Sequence, residues 1–215
     1  MSNELLFRTH DLIVGYRKKP IMGIRDIDIP KGIIVGVLGT SGIGKTTLLK
    51  TIAELIPPVE GEIEFPIPTK AFLMHQQYTS FDWYRCLDNI LIVEDVHKRK
   101  ITPDKIENAK ALLADVGLGE FADAYPKQLS GGQRQRLSLA RALYAEPKLL
   151  LMDEPLSALD EKTRENMQNL ILERHHGPDQ TIIMVTHSKD EANRMCDLII
   201  DFDDNQSQLM PSKNT

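Results

Sequence analysis

The sequence predicts an α/β fold: a core on a mainly parallel sheet, antiparallel β elements at its N-terminal end, and an inserted α-helical subdomain. Two observations carry this. Strand-like apolar runs fall in two blocks, Leu12 to Leu38 and Leu149 to Val185, separated by a long stretch of helical periodicity. The first block ends in a glycine-rich turn, GTSGIGKT at Gly39 to Thr46, that leads directly into a helical pattern, the strand, loop, helix order of a phosphate-binding unit.

Taken in order, Leu12, Val14 and Tyr16 alternate with other residues and Ile27 and Ile29 repeat that period, as edge strands do, while Ile33 to Leu38 is a continuous branched apolar run suited to a buried strand. Thr46 to Ile56 contains no breaker and places Leu48, Leu49, Ile52, Leu55 and Ile56 on one face, so a helix is expected over all of it, closed by Pro57 and Pro58. Further on, Thr102 and Pro103 start a helix whose apolar face is Ala109, Leu112, Leu113 and Val116, before Gly117. Strand patterns return at Leu149 to Met152 and Thr181 to Val185, with helix-like Glu161 to Arg174 between them. The expected organisation is one domain over 1–215, with a core at about 1–78 and 146–205, a helical subdomain at about 79–145, and a loose tail after Asp203, at 206–215 above all.

With 27% charged residues and few aromatics the composition is that of a folded soluble chain, and its net charge of −5 argues against a general binder of nucleic acid or anionic membrane. The first residues lack an apolar stretch of signal-peptide length and no run is long enough to span a membrane, so a cytoplasmic location is expected. Cys86 and Cys196 are far apart without CxxC spacing, which fits two reduced, incidental thiols.

In the glycine-rich turn the backbone can curl so that successive N–H groups point at phosphate oxygens, and the following helix adds its positive end. Gly39, Thr40, Ser41, Gly42, Ile43, Gly44, Lys45, Thr46 and Thr47 are therefore the expected cradle, with Lys45 reaching the β and γ phosphates and the Thr46 hydroxyl holding Mg²⁺. The apolar run Leu149 to Met152 delivers two acids, placing Asp153 for the magnesium shell and Glu154 to orient and deprotonate a water. A pair of acids favours ATP hydrolysis over simple binding. A second anion-attracting helix start follows the same physics at LSGGQRQR, Leu129 to Arg136: Ser130 can cap it, Gly131 and Gly132 leave the backbone open, and Leu137, Leu139, Ala140 and Leu143 pack it. Two glycines weaken a first turn by roughly 1 kcal/mol each relative to alanine, a cost that points to a ligand rather than a plain capped helix.

The phosphate loop, LSGGQ at Leu129 to Gln133, the acidic strand Leu149 to Glu154, SALD at Ser157 to Asp160 and VTH at Val185 to His187 together resemble an ABC-type ATPase, the nucleotide-binding subunit of an ATP-binding cassette transporter, over about Phe7 to Phe202. The resemblance implies a P-loop NTPase (RecA-like) core and an ATPase using ATP and Mg²⁺. It also implies two cassettes, in a homodimer or a heterodimer, that face each other head to tail when ATP is bound. Ser130, Gly131, Gly132 and Gln133 match the signature that completes the ATP site of the partner copy, Asp160 the loop that crosses the interface, and His187 the histidine that contacts the γ-phosphate beside Glu154. Gln76 matches the glutamine that contacts magnesium and senses the transport subunit, with Gln77 as the competing choice. Tyr16 matches the aromatic that stacks on adenine, although an alternating strand gives equal reason for a core or edge tyrosine.

Departures from the family pattern are the short stretch EFPIPTKAF between Thr46 and Gln76, Ile43 in place of a small residue, and His75 in place of a frequent phenylalanine. Phe81, Trp83 and Tyr84 match either the groove that receives a helix of the membrane subunit or the root of the helical lobe. The tryptophan resembles the nitrate, sulfonate and taurine import branch, which commonly has proline where Asp82 stands. The implied partners are transmembrane permease subunits and a solute-binding protein, on the inner face of the cell membrane, with no nucleic acid. Alternatives are a free-standing exporter ATPase, a soluble cassette acting on nucleic acid or ribosomes, and a regulatory module without turnover.

Overall fold

In the computed structural model, residues 4–24, 26–76 and 80–203 are described, with the backbone of 210–211. The element order begins β1 (Leu5–Tyr16), β2 (Lys19–Ile24), β3 (Asp28–Pro30), β4 (Ile34–Leu38), α1 (Lys45–Ile52), β5 (Glu60–Glu64) and β6 (Ala71–Met74). It continues with α2 (Cys86–Val96), α3 (Pro103–Asp115), α4 (Gly131–Tyr144), β7 (Leu149–Asp153), α5 (Glu161–Arg174), β8 (Thr181–Val185), α6 (Lys189–Met195), β9 (Leu198–Asp201) and β10 (Met210–Pro211). The chain forms two compact units.

The first unit, Met1–Leu73, Pro147–Glu154 and His175–Thr215, holds the sheets. In the larger one the strand order is β10-β9-β4-β8-β7-β6. β9, β4, β8 and β7 are mutually parallel, and every residue of β4, β7 and β8 is buried, which is why these strands read as unbroken apolar runs rather than alternating ones. The antiparallel sheet is organised by β1, whose twelve residues pair with β2, β3 and β5. Leu12, Val14, Ile29, Leu49, Leu149, Leu151 and Ile183 meet in its core, each fully buried aliphatic side chain contributing about 1.5–3 kcal/mol.

The helix expected to reach Ile56 stops at Ile52. Glu54 turns left-handed at φ 57, the Leu55 N–H bonds the Lys50 carbonyl and the Glu54 N–H bonds that of Thr51. This is a Schellman ending with glutamate where glycine is usual. It leaves Leu55 59% exposed instead of on the packed face. In the tail, Met210–Pro211 add a short antiparallel strand to Leu198 and Ile199; the other residues after Asp203, and Gln77, lie outside the described residues.

The second unit, Met74–Glu146 and Pro155–Arg174, contains α2 to α5, so that Pro155–Arg174, left with the core in the sequence reading, clusters here. Thr102 and Pro103 start α3 and Ala109, Leu112 and Leu113 are its buried residues. Glu94 on α2, only 5% exposed at its side chain, ties three helices together: Lys105 of α3 lies at 2.6 Å, Arg99 at 3.0 Å, and the Tyr144 hydroxyl of α4 donates at 3.2 Å. Burial alone would raise this carboxyl, but the hydrogen bond from Lys105 and the charge of Arg99 hold it below the usual carboxylate range. Burial and the neighbouring Glu94 push the Tyr144 phenol up to about 12.

Candidate nucleotide-binding site

The carboxyl ends of the parallel strands lie on one edge of the sheet, where ligands of open α/β folds bind. β4 ends in the glycine-rich loop. Gly44 stands at φ 120 as the N-cap of α1, a conformation that L side chains rarely adopt, and it lets the chain turn from the loop into the helix. Lys45 folds back into that loop, 5% exposed, and donates from Nζ to the carbonyls of Gly39 at 2.5 Å and Thr40 at 2.9 Å. The ammonium thus sits inside the curl of backbone that a phosphate group would enter.

From β7, Asp153 accepts a hydrogen bond at 2.8 Å from the Thr46 hydroxyl, which joins residues 107 positions apart in one oxygen-rich pair. Asp153 is 3% exposed. Glu154 takes a left-handed backbone at φ 50, costly for a residue other than glycine, with its N–H held by the Val185 carbonyl of β8 at 3.1 Å. That backbone presents the carboxylate to His187, whose Nε2 hydrogen-bonds Glu154 Oε1. His187 follows Thr186, whose N–H bonds the Val37 carbonyl of β4. Strands β4, β7 and β8 therefore deliver a cradle, an acid pair and an imidazole to the same edge.

Tyr16, at the end of β1, is 42% exposed and accepts a hydrogen bond from Lys50 at 3.1 Å; it is an exposed aromatic rather than a core residue. Thr40, Ser41 and Gly42 are exposed, Ile43 and Thr46 half-buried, and Thr47 buried.

The remaining expected site residues belong to the second unit. Ser130 caps α4: its Oγ accepts from the Gln133 N–H at 3.3 Å and its own N–H donates to Gln133 Oε1 at 2.8 Å, a reciprocal capping box. Gly131 is exposed, and Gly132 and Gln133 are half-buried. Asp160 accepts from the Thr163 N–H at 3.0 Å at the start of α5, and the hydrogen bond from the Thr163 side chain, followed by the one from its N–H, holds the Asp160 carboxyl below the usual range. Gln76 is exposed after β6. Trp83 is 71% exposed and meets Phe81 edge-on at 5.7 Å, while the guanidinium of Arg141 lies 5.2 Å from the Phe81 ring centre. Both cysteines are buried, and burial pushes the Cys86 thiol to about 11 and the Cys196 thiol to about 12, so neither is a thiolate near neutral pH.

Two residues passed over in the sequence organise these exposed segments. Asn89 donates to the carbonyls of Phe81, Tyr84 and Arg85 and accepts from the Phe81 N–H, fixing the aromatic turn. Gln135 accepts from the Ala158 N–H, inside SALD. Both are polar residues at helical positions in line with buried apolar ones, Asn89 with Cys86 and Val93 and Gln135 with Leu139 and Ala142, and a buried amide needs partners; that is the signal that could have found them.

The ABC transporter family matches residues 24–157. Among curated relatives, an aliphatic sulfonates import ATP-binding protein of Mesorhizobium japonicum is 36% identical over 91% of this chain and 77% of its own length, and one of Rhodococcus jostii is 38% identical over 93% and 79%. A sulfate/thiosulfate import ATP-binding protein of Bacillus cereus is 39% identical over 86% of this chain and 55% of its own length. Among solved structures, an ATP-binding cassette in a dimeric post-hydrolysis state bound to ADP and Pi superposes with a TM-score of 0.80 at 26% identity, covering 97% of this chain and all of that one.

Proposed function

Since the chain belongs to the ABC transporter family, we infer that it is the ATP-hydrolysing subunit of a membrane importer, working with separate permease subunits on a small oxyanion such as a sulfonate. The observation that carries this reading is the convergence of Lys45, Thr46, Asp153, Glu154 and His187 at one edge of the parallel sheet. In it, the Lys45 ammonium leaves the loop carbonyls for the β and γ phosphates, which the cradle from Gly39 to Thr47 binds through its N–H groups. Tyr16 stacks on adenine.

The Thr46 hydroxyl and Asp153 carboxylate are hard oxygen donors of the kind magnesium takes. Among the described residues no three His, Cys, Asp or Glu side chains could hold a metal together, so most of its shell would come from nucleotide oxygens and water. Thr46 and Asp153 would hold Mg²⁺, which when bound neutralises charge on the phosphates. Glu154 takes the proton of the attacking water, and His187, held by Glu154, faces the γ-phosphate.

Under this reading two copies close on ATP, with Ser130, Gly131, Gly132, Gln133 and Asp160 of one completing the site on the other. The exposed Trp83, beside Phe81 and Tyr84 on a turn fixed by Asn89, supports a docking surface for the permease at the cytoplasmic face. No helix among the described residues is long and apolar enough to cross a membrane. A solute-binding protein completes the proposed assembly.

Glu154→Gln tests the chemistry. Turnover should fall by about 10²–10⁴, the contribution of a positioned general base, and an ATP-dependent dimer should accumulate in sedimentation. A variant that hydrolyses ATP at the parent rate would remove Glu154 from the mechanism.

A further inference from the structure

Gln135 lies on the buried stripe of α4, four residues before Leu139, and is 2% exposed. Its Oε1 accepts from the Ala158 N–H at 2.9 Å and its Nε2 donates to Ser157 Oγ at 3.4 Å, so one helical side chain holds two consecutive residues of the SALD loop. One turn earlier, Gly132 brings the α4 backbone close to the same loop: a Cβ there would lie 3.2 Å from the Ala158 carbonyl oxygen. The other side of the loop is held by Arg164, which donates to the carbonyls of Leu156 at 3.4 Å and Leu159 at 2.7 Å. Ser157, Ala158 and Asp160 nevertheless remain exposed. This is an outward-facing loop whose backbone is fastened to the helix that starts at Ser130.

We propose that Gln135 is a positioning residue that fixes the SALD loop to the signature end of α4, so that Ser130 and Asp160 meet a second copy as one preformed surface. The inference rests on the two-copy reading above. Two loops ordered separately at the moment of association each cost conformational entropy, and fastening both to one helix lowers that cost before the copies meet. Gln135 touches no nucleotide in this account. It acts through Ser157 and Ala158.

The test uses mixed dimers purified through a different tag on each copy, with ATP turnover as the readout. Gln135→Leu in one copy and Lys45→Ala in the other should leave one intact site and about half the parent turnover. Both changes in a single copy should damage both sites and give less than a tenth of the opposed arrangement. A merely structural defect predicts something else: a copy that fails to fold also loses the site on its own Lys45, so both arrangements would be equally dead. Equal turnover in the two arrangements, high or low, overturns the proposal.

Gln135→Glu keeps an oxygen for the Ala158 N–H and lets the Ser157 hydroxyl turn to donate. It should recover most of the turnover, and a Glu variant no better than Leu counts against the proposed bonds. The same pairs made with Ser130→Arg separate the two claims. If those pairs differ and the Gln135 pairs do not, the positioning role alone falls; if neither differs, the two-copy reading falls and takes the positioning role with it.

Discussion

At the start of α1 the N-cap is Gly44, which has no side chain to offer, whereas at the start of α4 Ser130 and Gln133 satisfy each other's backbone N–H groups. Both are glycine-containing helix starts, and both suit an anion by the same electrostatics. In the first, a buried lysine fills the curl of the loop with positive charge, and the helix end depends on a ligand for side-chain-like capping. In the second, the capping box forms within its own unit without a ligand: Ser130 Oγ accepts from the Gln133 N–H, which leaves its O–H to donate to an anion. The difference orders the events of the proposed cycle. In that cycle nucleotide would bind the loop of one copy first, where Lys45 already stands, and the capped helix of a second copy would then engage it.

The largest expected effect breaks the first half of this contrast. Lys45→Ala removes the one cation lodged in the loop and should lower ATP turnover by about 10²–10³, the scale of losing one preorganised electrostatic contact, with nucleotide binding by the single copy weakened in equilibrium titration. Ser130→Arg breaks the second half. It should leave single-copy nucleotide binding within about twofold of the parent, a change of about 0.4 kcal/mol in that equilibrium, while lowering hydrolysis by about tenfold to a hundredfold, or about 1.4–2.7 kcal/mol in the barrier. Weakened single-copy binding would show that the capped end already contributes within one chain.

A smaller effect distinguishes the two units by pH. Because the Glu94 carboxyl is held below its unfolded value by Lys105 and Arg99, its stabilisation is full above about pH 4.3 and is lost as pH falls through the depressed value. Thermal unfolding of the helical unit should therefore become steeply acid-sensitive below about pH 4.3. Glu94→Gln should lose about 1–3 kcal/mol at pH 7 and flatten that slope. An unchanged slope would locate the acid sensitivity elsewhere. The smallest change is at the far end of α1, where Glu54→Gly should raise stability by about 1 kcal/mol, because glycine adopts φ 57 without the penalty of a side chain. The readout is a melting temperature, with hydrolysis unaffected.

Elements with their own punctuation were legible from the sequence. Glu161–Arg174 and Thr181–Val185 have the expected bounds, and Ser130 and Thr102 stand where their helices begin. The end of α1 was not legible because its stop signal is a conformation of Glu54 rather than a residue type that demands it. Candidate site residues could be proposed from short motifs, but the contact of Glu154 with His187, 33 positions on, depends on β7 and β8 lying side by side. Gln135 and Asn89 escaped notice for a related reason: each fastens a segment that only the folded chain brings within reach.

Strand β4 has consequences for how the chain is made. Its neighbours are β8 and β9, with Ile34 opposite Ile182 and Val35 opposite Leu198. At ribosomal speeds of about 5–20 residues per second, the nearer partner emerges roughly 8–30 s after β4. Throughout that interval a five-residue apolar strand waits with both hydrogen-bonding edges unfilled, although α1 and the antiparallel sheet around β1 are already available to cover its faces. The nascent chain is thus most vulnerable to misassociation at the strand that later carries the phosphate loop, and slow translation between 150 and 180 would lengthen that exposure.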